Sequence, residues 1–302
     1  MRKILFFTST VWALGVLHAS LSKRLLAHGI HADVLDWRAS YTQEEFQHLM
    51  RVYDYFLVTP DSLNILHSSE HYRVPLNRIF TIAHHTEDLV VAGKRMGGFD
   101  FLNEVAGLGA VNEDIAAEAA SRLGITRAFK LVTNGVETAM FAGPPAISLN
   151  AIGHVGPHTL TWDNVEDCKR PGLLDEVLHG LPLVHKQQPR QHYMAMPSRY
   201  WDIDATLVTS SYESCGLPAL ETAAAGRLVV STPTGYFRKH YQGLGALCSL
   251  EPKAFVQDAR AILLHYKDSP QQYRERCQTA QEYCRQHFDW SVTLPTWLEV
   301  FA

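Results

Sequence analysis

The sequence predicts an α/β fold made of two Rossmann-like domains that face a cleft. Short β-rich runs alternate with helical patterns along the 302 residues, and this alternation is typical of parallel sheets covered by helices. The length suits two domains of about 100–200 residues each. Gly143-Pro144-Pro145 is typical of a linker and places the end of the first domain near residue 145. In open parallel sheets, ligands bind outside the carboxyl ends of the strands.

The first domain is predicted from short runs of apolar and β-branched residues. Met1 to Leu17 loosely imitates a signal peptide, but Thr8-Ser9-Thr10 interrupts the apolar run, so we predict a buried first strand instead. Pro60-Asp61-Ser62 is predicted to break the chain after the third strand. The predicted strands are Ile4–Thr8, Ala32–Leu35, Tyr55–Thr59, Arg78–Ala83, Ala106–Val111 and Lys130–Thr133, and the helices are Val16–His28 and Glu113–Leu123, ended by Gly29 and Gly124.

The second domain repeats the same pattern. Its predicted strands are Ala151–Val155, Leu181–His185, Asp204–Thr209 and Leu228–Ser231. Its predicted helices are Pro171–His179, Pro218–Ala225 (ended by Gly226), Gln271–Phe288 and a last segment that holds Trp290, Trp297 and Phe301.

Composition excludes several classes of function. A net charge of −4 and a pI near 6.5 argue against a general electrostatic grip on nucleic acid or an anionic membrane. The five cysteines are scattered without a C-x-x-C pair, so we expect neither a disulfide framework nor structural zinc, and we expect a cytoplasmic protein. No apolar stretch is long enough for a transmembrane helix.

The segment from Glu213 to Glu221 carries the strongest chemical signal. It follows a predicted strand and opens a helix, where Gly216 permits close backbone approach and Pro218 suits the first turn. Amides at a helix start can hold an anion such as a diphosphate. Glu213 and Glu221 could accept hydrogen bonds from sugar and ribose hydroxyls. On spacing alone, a plain strand–loop–helix junction with a capping acid remains the alternative.

This segment resembles the E-x7-E signature of retaining glycosyltransferases of family 4, which have the two-domain GT-B fold. The likeness covers nearly the whole chain, because Thr133–Glu137 with Phe141 resembles the family's "NGVD…F" turn, and Phe288-Asp289-Trp290 resembles its C-terminal segment. The resemblance implies an acceptor-side domain over residues 1–145 and a donor-binding domain over 146–287. It also implies that a C-terminal helix, 288–302, packs back on the first domain.

The resemblance also implies roles for individual residues. Glu213 would contact the hydroxyls of the donor sugar, and Glu221 would bind the ribose. A histidine after the fourth strand would lie near the reacting sugar; we favour His85 over His84, with a solvated loop histidine as the alternative. The residues expected at the sugar and diphosphate are Cys215, Gly216 and Leu217, through their amides, and Gly15, in the loop after the first strand.

The sequence departs from the family pattern at the cations. The family has an arginine just after the first strand of the second domain, but the chain reads Gly153-His154-Val155-Gly156-Pro157 there. Lys169 can supply the family's lysine, and Arg170 can stand in for the arginine, since a departing diphosphate gains charge. The alternative for this pair is a solvated helix start.

Two further motifs are predicted to be structural. Asp202-Ile203-Asp204 spells D-x-D, a metal–diphosphate motif of the other large glycosyltransferase fold, but here it enters a strand, so we expect no essential metal. Glu87-Asp88 is predicted to be a solvated face.

The resemblance predicts a retaining, metal-independent glycosyltransferase without a further cofactor. It would use a nucleoside-diphosphate sugar, with UDP- and GDP-sugars favoured. The acceptor hydroxyl would belong to a glycan, a lipid-linked sugar or a small molecule, and a nucleic-acid acceptor stays open. The alternatives are a GT-B sugar-nucleotide epimerase, a phosphorylase, for which no cofactor lysine setting is seen, and a non-catalytic nucleotide-sugar-binding relative.

Overall fold

The computed structural model describes residues 1–10, 12–70, 72–154, 166–186 and 193–302. The chain forms two compact units, unit 1 with Met1–Asn134 and Thr293–Ala302, and unit 2 with Gly135–Val292. Each unit holds one parallel sheet with helices between its strands, which confirms the predicted α/β class. The division falls at residues 134 and 292, whereas the sequence predicts boundaries at 145 and 287.

Unit 1 contains a six-stranded sheet in the order β2-β1-β3-β4-β5-β6. Every pairing in it is parallel. The strands are β1 (Arg2–Thr8), β2 (Ile30–Asp36), β3 (Tyr55–Val58), β4 (Ile79–Ala83), β5 (Gly107–Ala110) and β6 (Lys130–Leu131). The helices are α1 (Trp12–Leu25), α2 (Gln43–Val52), α3 (Pro60–His67), α4 (Thr86–Met96) and α5 (Glu113–Leu123).

Unit 2 contains a five-stranded parallel sheet in the order β11-β10-β9-β7-β8. The strands are β7 (Ala151–Gly153), β8 (Val184–Lys186), β9 (Ala205–Val208), β10 (Leu228–Ser231) and β11 (Ala246–Leu247). The helices are α6 (Thr138–Phe141), α7 (Glu166–Lys169), α8 (Gly172–Leu178), α9 (Met196–Trp201), α10 (Leu217–Ala224), α11 (Phe237–Leu244), α12 (Pro252–Asp268) and α13 (Pro270–Phe288). The last helix, α14 (Trp290–Phe301), ends in unit 1.

Two glycines of β5 let the last helix lie directly on the unit 1 sheet. A Cβ atom at Gly107 would lie 2.9 Å from the Val300 carbonyl oxygen and 2.7 Å from the Phe80 ring. The same helix is tied to the chain after β6, because the Trp297 indole donates to the Thr133 carbonyl at 3.0 Å. Residues 293–302 can therefore pack on the first sheet because the glycines of β5 have no side chains.

Three helices of unit 1 were not expected from the sequence. Pro60 begins α3 instead of breaking the chain, because proline is tolerated in a first helical turn, where its missing N–H has no intrahelical acceptor. Helix α2 is preceded by a Thr42–Glu45 capping box. Helix α4 starts directly after His85, where no helix was predicted from the sequence.

The strand order identifies one switch point in each sheet. The chain adds β2 on one side of β1 and β3 on the other, and it adds β8 and β9 on opposite sides of β7. Loops diverge at such points, which leaves a crevice at the carboxyl ends of the strands where ligands bind. The loops after β1 and β3 in unit 1, and after β7 and β9 in unit 2, are therefore the places to look for a site. Among the described residues, no helix is both long and apolar enough to cross a membrane.

Candidate functional site

The junction between β9 and α10 holds the acidic motif at the switch point of unit 2. Gly216 has a φ of +72° and precedes the first residue of α10, Leu217. A side chain would be strained in this left-handed conformation, so glycine suits the position. The first turn of an α-helix leaves amides without intrahelical acceptors, and the Leu217 amide belongs to that turn. The junction can therefore offer N–H donors to an anion.

Glu213 is held by two neighbours through one carboxylate oxygen. Its Oε1 forms an ion pair with the Lys169 ammonium and accepts from the Ser210 hydroxyl at 2.7 Å. The Glu213 side chain is 13% exposed and the Lys169 side chain 27% exposed. Within the described part of the chain, Oε2 has no partner. The carboxylate is therefore fixed in place while one oxygen remains able to accept a hydrogen bond from a ligand.

The two predicted cations behave differently. Lys169 lies on Glu213, whereas the guanidinium of Arg170 donates to the Thr209, Leu250 and Ser210 carbonyl oxygens at 2.7, 2.8 and 3.3 Å. Partial burial lowers the pKa of Arg170. Arg170 thus stabilises the start of the loop that carries Glu213. Its direct contact with a diphosphate stays a prediction.

Glu221 lies inside unit 2, one turn into α10. The carboxyl group is 6% exposed and accepts from the Tyr200 hydroxyl at 2.6 Å. Burial raises the pKa of Glu221 to about 7, and the Tyr200 hydrogen bond and the Arg199 charge oppose this rise. Burial therefore favours the protonated form of this carboxyl group more than in an ordinary glutamate.

The remaining motif residue, Cys215, is buried beneath a second loop. Its carbonyl oxygen accepts from the Tyr236 amide at 3.3 Å. Gly235 lies against it so closely that a Cβ there would stand 2.9 Å from the Cys215 carbonyl carbon. The loop after β10 therefore holds the backbone of the motif in position.

His154 occupies the position after β7 where the sequence lacks an arginine. It is 4% exposed, and its Nε2 lies 3.5 Å from the Thr209 hydroxyl. Residues 155–157, which follow in the sequence, lie outside the described residues.

The two acids of the D-x-D motif make contacts that stabilise the unit 2 sheet. Asp204 Oδ2 accepts from the amides of Asn150 and Ala151, both at 2.8 Å, and Asp202 pairs with Lys186 at 2.6 Å. These contacts fix the start of β7 and agree with the predicted structural role. Among the described residues, no three His, Cys, Asp or Glu side chains form a group that could hold a metal ion.

Gly15 lies in a helix, so the prediction that it lies in a loop is wrong. Helix α1 begins at Trp12, four residues earlier than predicted, and Gly15 belongs to its first turn. A Cβ at this position would lie 2.5 Å from the Thr10 carbonyl oxygen. The close approach of the chain's own backbone therefore accounts for glycine here, and contact with a diphosphate stays a prediction.

His85 caps the helix that follows β4. Its Nδ1 accepts from the Glu87 amide at 3.0 Å, and burial lowers its pKa. Asp88 Oδ2 accepts from the amides of His84 and His85 at 3.1 and 2.9 Å. Burial raises the pKa of Asp88 to about 7. The prediction that Asp88 lies on a solvated face is therefore wrong, because the backbone turn at the histidines encloses its carboxyl group.

His84 points to a different environment from His85. Its ring lies 6.1 Å from the His18 ring, and His18 also meets the Phe6 and Trp297 rings at 5.3 and 6.3 Å. In the described part of the chain, both His18 nitrogens and His84 Nε2 lack a hydrogen-bond partner. Burial lowers the pKa of His84 to about 4 and that of His18 well below its ordinary value. Both rings are therefore neutral at physiological pH.

The sequence analysis missed three supporting residues: Ser210, Tyr200 and Asp88. Asp88 has a signal that could have revealed it, since an acid three residues after a strand-terminal polar residue is typical of a capping box. Ser210 lies three residues before Glu213, in reach of its carboxylate. Tyr200 is distant in sequence from Glu221, and only the fold brings the two together.

The solved structures that resemble this chain are glycosyltransferases of the GT-B fold. Sucrose-phosphate synthase from Thermosynechococcus elongatus matches with a TM-score of 0.77 at 12% identity, over 100% of this chain and 98% of that one. HepE from Anabaena, solved with UDP and glucose, matches with a TM-score of 0.74 at 14% identity, over 100% and 99%. The catalytic domain of starch synthase IV from Arabidopsis thaliana matches with a TM-score of 0.67 at 11% identity, over 100% and 98%.

These likenesses show the fold, and the chain has the GT-B fold. No protein-family model and no curated protein sequence matches it.

Proposed function

We propose that the chain is a retaining glycosyltransferase that moves a sugar from a nucleoside-diphosphate sugar to an acceptor hydroxyl, without an essential metal ion. The observation that carries the proposal is Glu213, which Lys169 and Ser210 hold beside the start of α10 in a chain with the GT-B fold. A fixed carboxylate accepts from sugar hydroxyls, and the nearby amides suit a diphosphate.

The donor is proposed to bind to unit 2. Glu221 would accept from the ribose hydroxyls, while the amides of Gly216 and Leu217 would bind the diphosphate. The ammonium of Lys169 has three donors, so it can bind a phosphate oxygen and keep its bond to Glu213. UDP and glucose were found with HepE, and ADP with the starch synthase. A UDP-sugar is the first donor to test.

The reaction would depend on stabilising the leaving group. The bond between the anomeric carbon and the diphosphate oxygen breaks, and its electron pair leaves with the diphosphate. The acceptor oxygen bonds to the same face of that carbon, and its proton passes to an oxygen of the departing diphosphate. Lys169 and the amides of α10 are proposed to stabilise the developing charge. The acceptor would be bound by unit 1 and belongs to a glycan, a lipid-linked sugar or a small molecule.

Substitution of Glu213 tests the proposal. Glu213→Gln should lower kcat at least about 100-fold while nucleoside-diphosphate binding stays within a few-fold, because the interaction lost is with the sugar. Turnover and calorimetric titration with UDP, GDP and ADP measure the two effects. Glu275→Gln, which changes an exposed glutamate on α13, is the matched control. NMR of the product gives the anomeric configuration, and excess EDTA tests metal independence.

The outcome also separates the alternatives. An epimerase would release free nucleoside diphosphate and an altered sugar without any acceptor. A binding protein would take up nucleotide sugar and show no turnover with any acceptor. If no nucleotide or nucleotide sugar raises the melting temperature at high excess, the proposed donor site is wrong, since a bound ligand must stabilise the fold.

A further inference from the structure

Arg227 is a buried side chain that joins three segments of unit 2. It lies between α10 and β10 and is 7% exposed. Its guanidinium donates to six main-chain carbonyl oxygens: those of Tyr200 (3.1 Å), Trp201 (3.3 Å) and Ile203 (2.8 Å) around the end of α9, those of Ala225 (3.0 Å) and Gly226 (3.2 Å) after α10, and that of Pro144 (2.9 Å) before β7. One side chain therefore holds two helix ends and the segment before β7 together.

The chemistry of these acceptors explains why an arginine is suited to the position. The last carbonyl groups of a helix have no intrahelical donor, and α9 and α10 both end against the guanidinium. Its N–H groups form a planar fork that can donate in several directions at once. A cation at a helix C-terminus is also favourable. A lysine has all its donors on one nitrogen, so it could not reach all six carbonyl oxygens.

Tyr200 connects this arginine to Glu221. The Tyr200 carbonyl oxygen accepts from Arg227, and the Tyr200 hydroxyl donates to Glu221 Oε2 at 2.6 Å. Tyr200 is fully buried, and its ring packs on the Phe141 ring with the centroids 5.6 Å apart. Arg227 thus fixes the main chain of the residue whose side chain is bonded to the acid. A shift of the end of α9 would move the hydroxyl away from Glu221.

We propose that Arg227 is a positioning residue of the nucleotide site, which fixes the end of α9 against α10 so that the Tyr200 hydroxyl stays on the Glu221 carboxylate. That Glu221 binds a ribose rests on the proposed glycosyl transfer. Arg227 acts from inside unit 2, since its N–H groups are directed at main-chain carbonyl oxygens. Its substitution should therefore change nucleotide binding through Tyr200 and Glu221.

The ionisation of Glu221 reports whether Tyr200 is in place. Burial raises the pKa of Glu221 to about 7, and the Tyr200 hydroxyl opposes this rise. Arg199 of α9 and Cys284 of α13 also face the carboxyl group; the arginine stays charged, and burial raises the pKa of Cys284 to about 12. Burial raises the pKa of Tyr200 well above its ordinary value. Among these four groups, a titration between pH 5 and pH 9 therefore belongs to Glu221.

Carbon-13 NMR of glutamate-labelled protein tests the positioning role without any ligand. We expect the Glu221 carboxyl signal, assigned by its loss in Glu221→Gln, to titrate near pH 7 in the wild type. Arg227→Lys keeps a basic side chain and should move this titration to higher pH, as Tyr200→Phe should, because the hydroxyl is no longer held on the carboxylate. With Tyr200→Phe already present, Arg227→Lys should cause no further shift, since both changes act on one contact.

Arg276→Lys is the matched control. Arg276 also donates to main-chain carbonyl oxygens near the end of a helix, those of Tyr241 and Gln242 in α11, both at 2.6 Å. Its substitution should lower the melting temperature and leave the titration of Glu221 unchanged. The proposal is overturned if Arg227→Lys shows only this pattern, if it moves the titration to lower pH, or if its shift and that of Tyr200→Phe add in the double variant.

Two further measurements apply if Arg227→Lys does not fold. Arg227→Gln, which keeps an uncharged amide donor, replaces it with the same expected shift to higher pH. The wild type also gives an answer by itself, because a Glu221 carboxyl group that titrates near its ordinary value of 4.5 would not be held in the buried pair and would overturn the proposal.

Nucleotide binding tests the link to the proposed function. In calorimetric titrations, Arg227→Lys should weaken UDP binding about three- to ten-fold at pH 7 and by a smaller factor at pH 8.5, where more of Glu221 is ionised. The ratio between variant and wild type at each pH removes the titration of UDP itself. An equal loss at both pH values would contradict action through Glu221. A protein that shows the expected NMR shifts but binds no nucleoside diphosphate would refute the proposed function and leave the Arg227–Tyr200–Glu221 arrangement intact.

Discussion

The Glu213–Lys169 pair of unit 2 and the His18 and His84 rings of unit 1 differ in how their ionisable side chains are partnered. In unit 2, Glu213 is held by the ammonium of Lys169, so a charged carboxylate is stabilised by a partner. In unit 1, His18 and His84 have no hydrogen-bond partner at three of their nitrogens among the described residues, and burial keeps them neutral. The unit 2 pair is thus an ion pair, whereas burial disfavours the charged form of the unit 1 histidines.

Removal of the charge that unit 2 maintains should give the largest effect. In Lys169→Met the Glu213 carboxylate, 13% exposed, loses its cation, and the proposed diphosphate loses its ammonium. We expect kcat/KM to fall about 100- to 1000-fold and the melting temperature to fall by several degrees. Steady-state kinetics and calorimetry measure both. Lys253→Met, which changes an exposed lysine on α12, is the control, and a loss under about three-fold at Lys169 would refute the role.

Acid should affect unit 1 through its buried histidines. Above pH 6.5, His84 is neutral in both the folded and the unfolded chain. As the pH falls from 6.5 toward about 4, the unfolded chain binds a proton that the folded protein does not, so stability is lost. A shift of this size corresponds to about 3 kcal/mol. Between pH 7 and pH 4 the free energy of unfolding should fall by about 3 kcal/mol less in His84→Leu than in the wild type. Urea titrations at the two pH values measure this difference.

Two carboxyl groups with raised pKa values act in the opposite direction. The pKa values of Asp88 and Glu221 are raised to about 7, so the folded protein binds their protons before the unfolded chain does. Their contribution to the free energy of unfolding increases as the pH falls from about 7 toward the ordinary pKa values of Asp and Glu. The effect of His84 is therefore measured as the difference between the wild type and His84→Leu. His48→Gln changes an exposed ring and should keep the wild-type pH dependence. An unchanged pH dependence in His84→Leu would contradict the burial argument.

Most of the fold could be predicted from local patterns, but the contacts within the site could not. Both sheets follow from short apolar runs, as in β10, which has the predicted bounds Leu228–Ser231. The position of Glu213 follows from the strand–loop–helix pattern. The Tyr200–Glu221 hydrogen bond joins residues on different helices, so no spacing in the sequence indicates it. The burial of Asp88 was missed because two adjacent acids usually face water, and the capping geometry depends on where β4 ends.

A smaller effect is expected from Tyr200, whose hydroxyl donates a hydrogen bond to the buried Glu221 carboxyl group. The Tyr200 hydroxyl lowers the pKa of Glu221 against the effect of burial, so Tyr200→Phe should raise that pKa further. We expect the affinity for a nucleoside diphosphate to fall about five- to ten-fold at pH 7, because more Glu221 is protonated and fewer molecules can offer a carboxylate to the proposed ribose. Calorimetric titrations at pH 6 and pH 8 measure the effect. Tyr266→Phe is the control, and equal affinity in the Tyr200 variant would exclude a role for this pair.

The smallest effect is expected at the exposed ion pairs of unit 1. Arg122 contacts Glu87 and Glu118 at 2.6 and 2.5 Å, distances as short as those of many buried pairs, but its side chain is 48% exposed. Water screens such pairs, so Arg122→Gln should change the melting temperature by less than about 2 °C, and added salt should remove the difference. Calorimetry at low and high salt measures this. A loss as large as that of Lys169→Met would contradict the argument that water screens these exposed pairs.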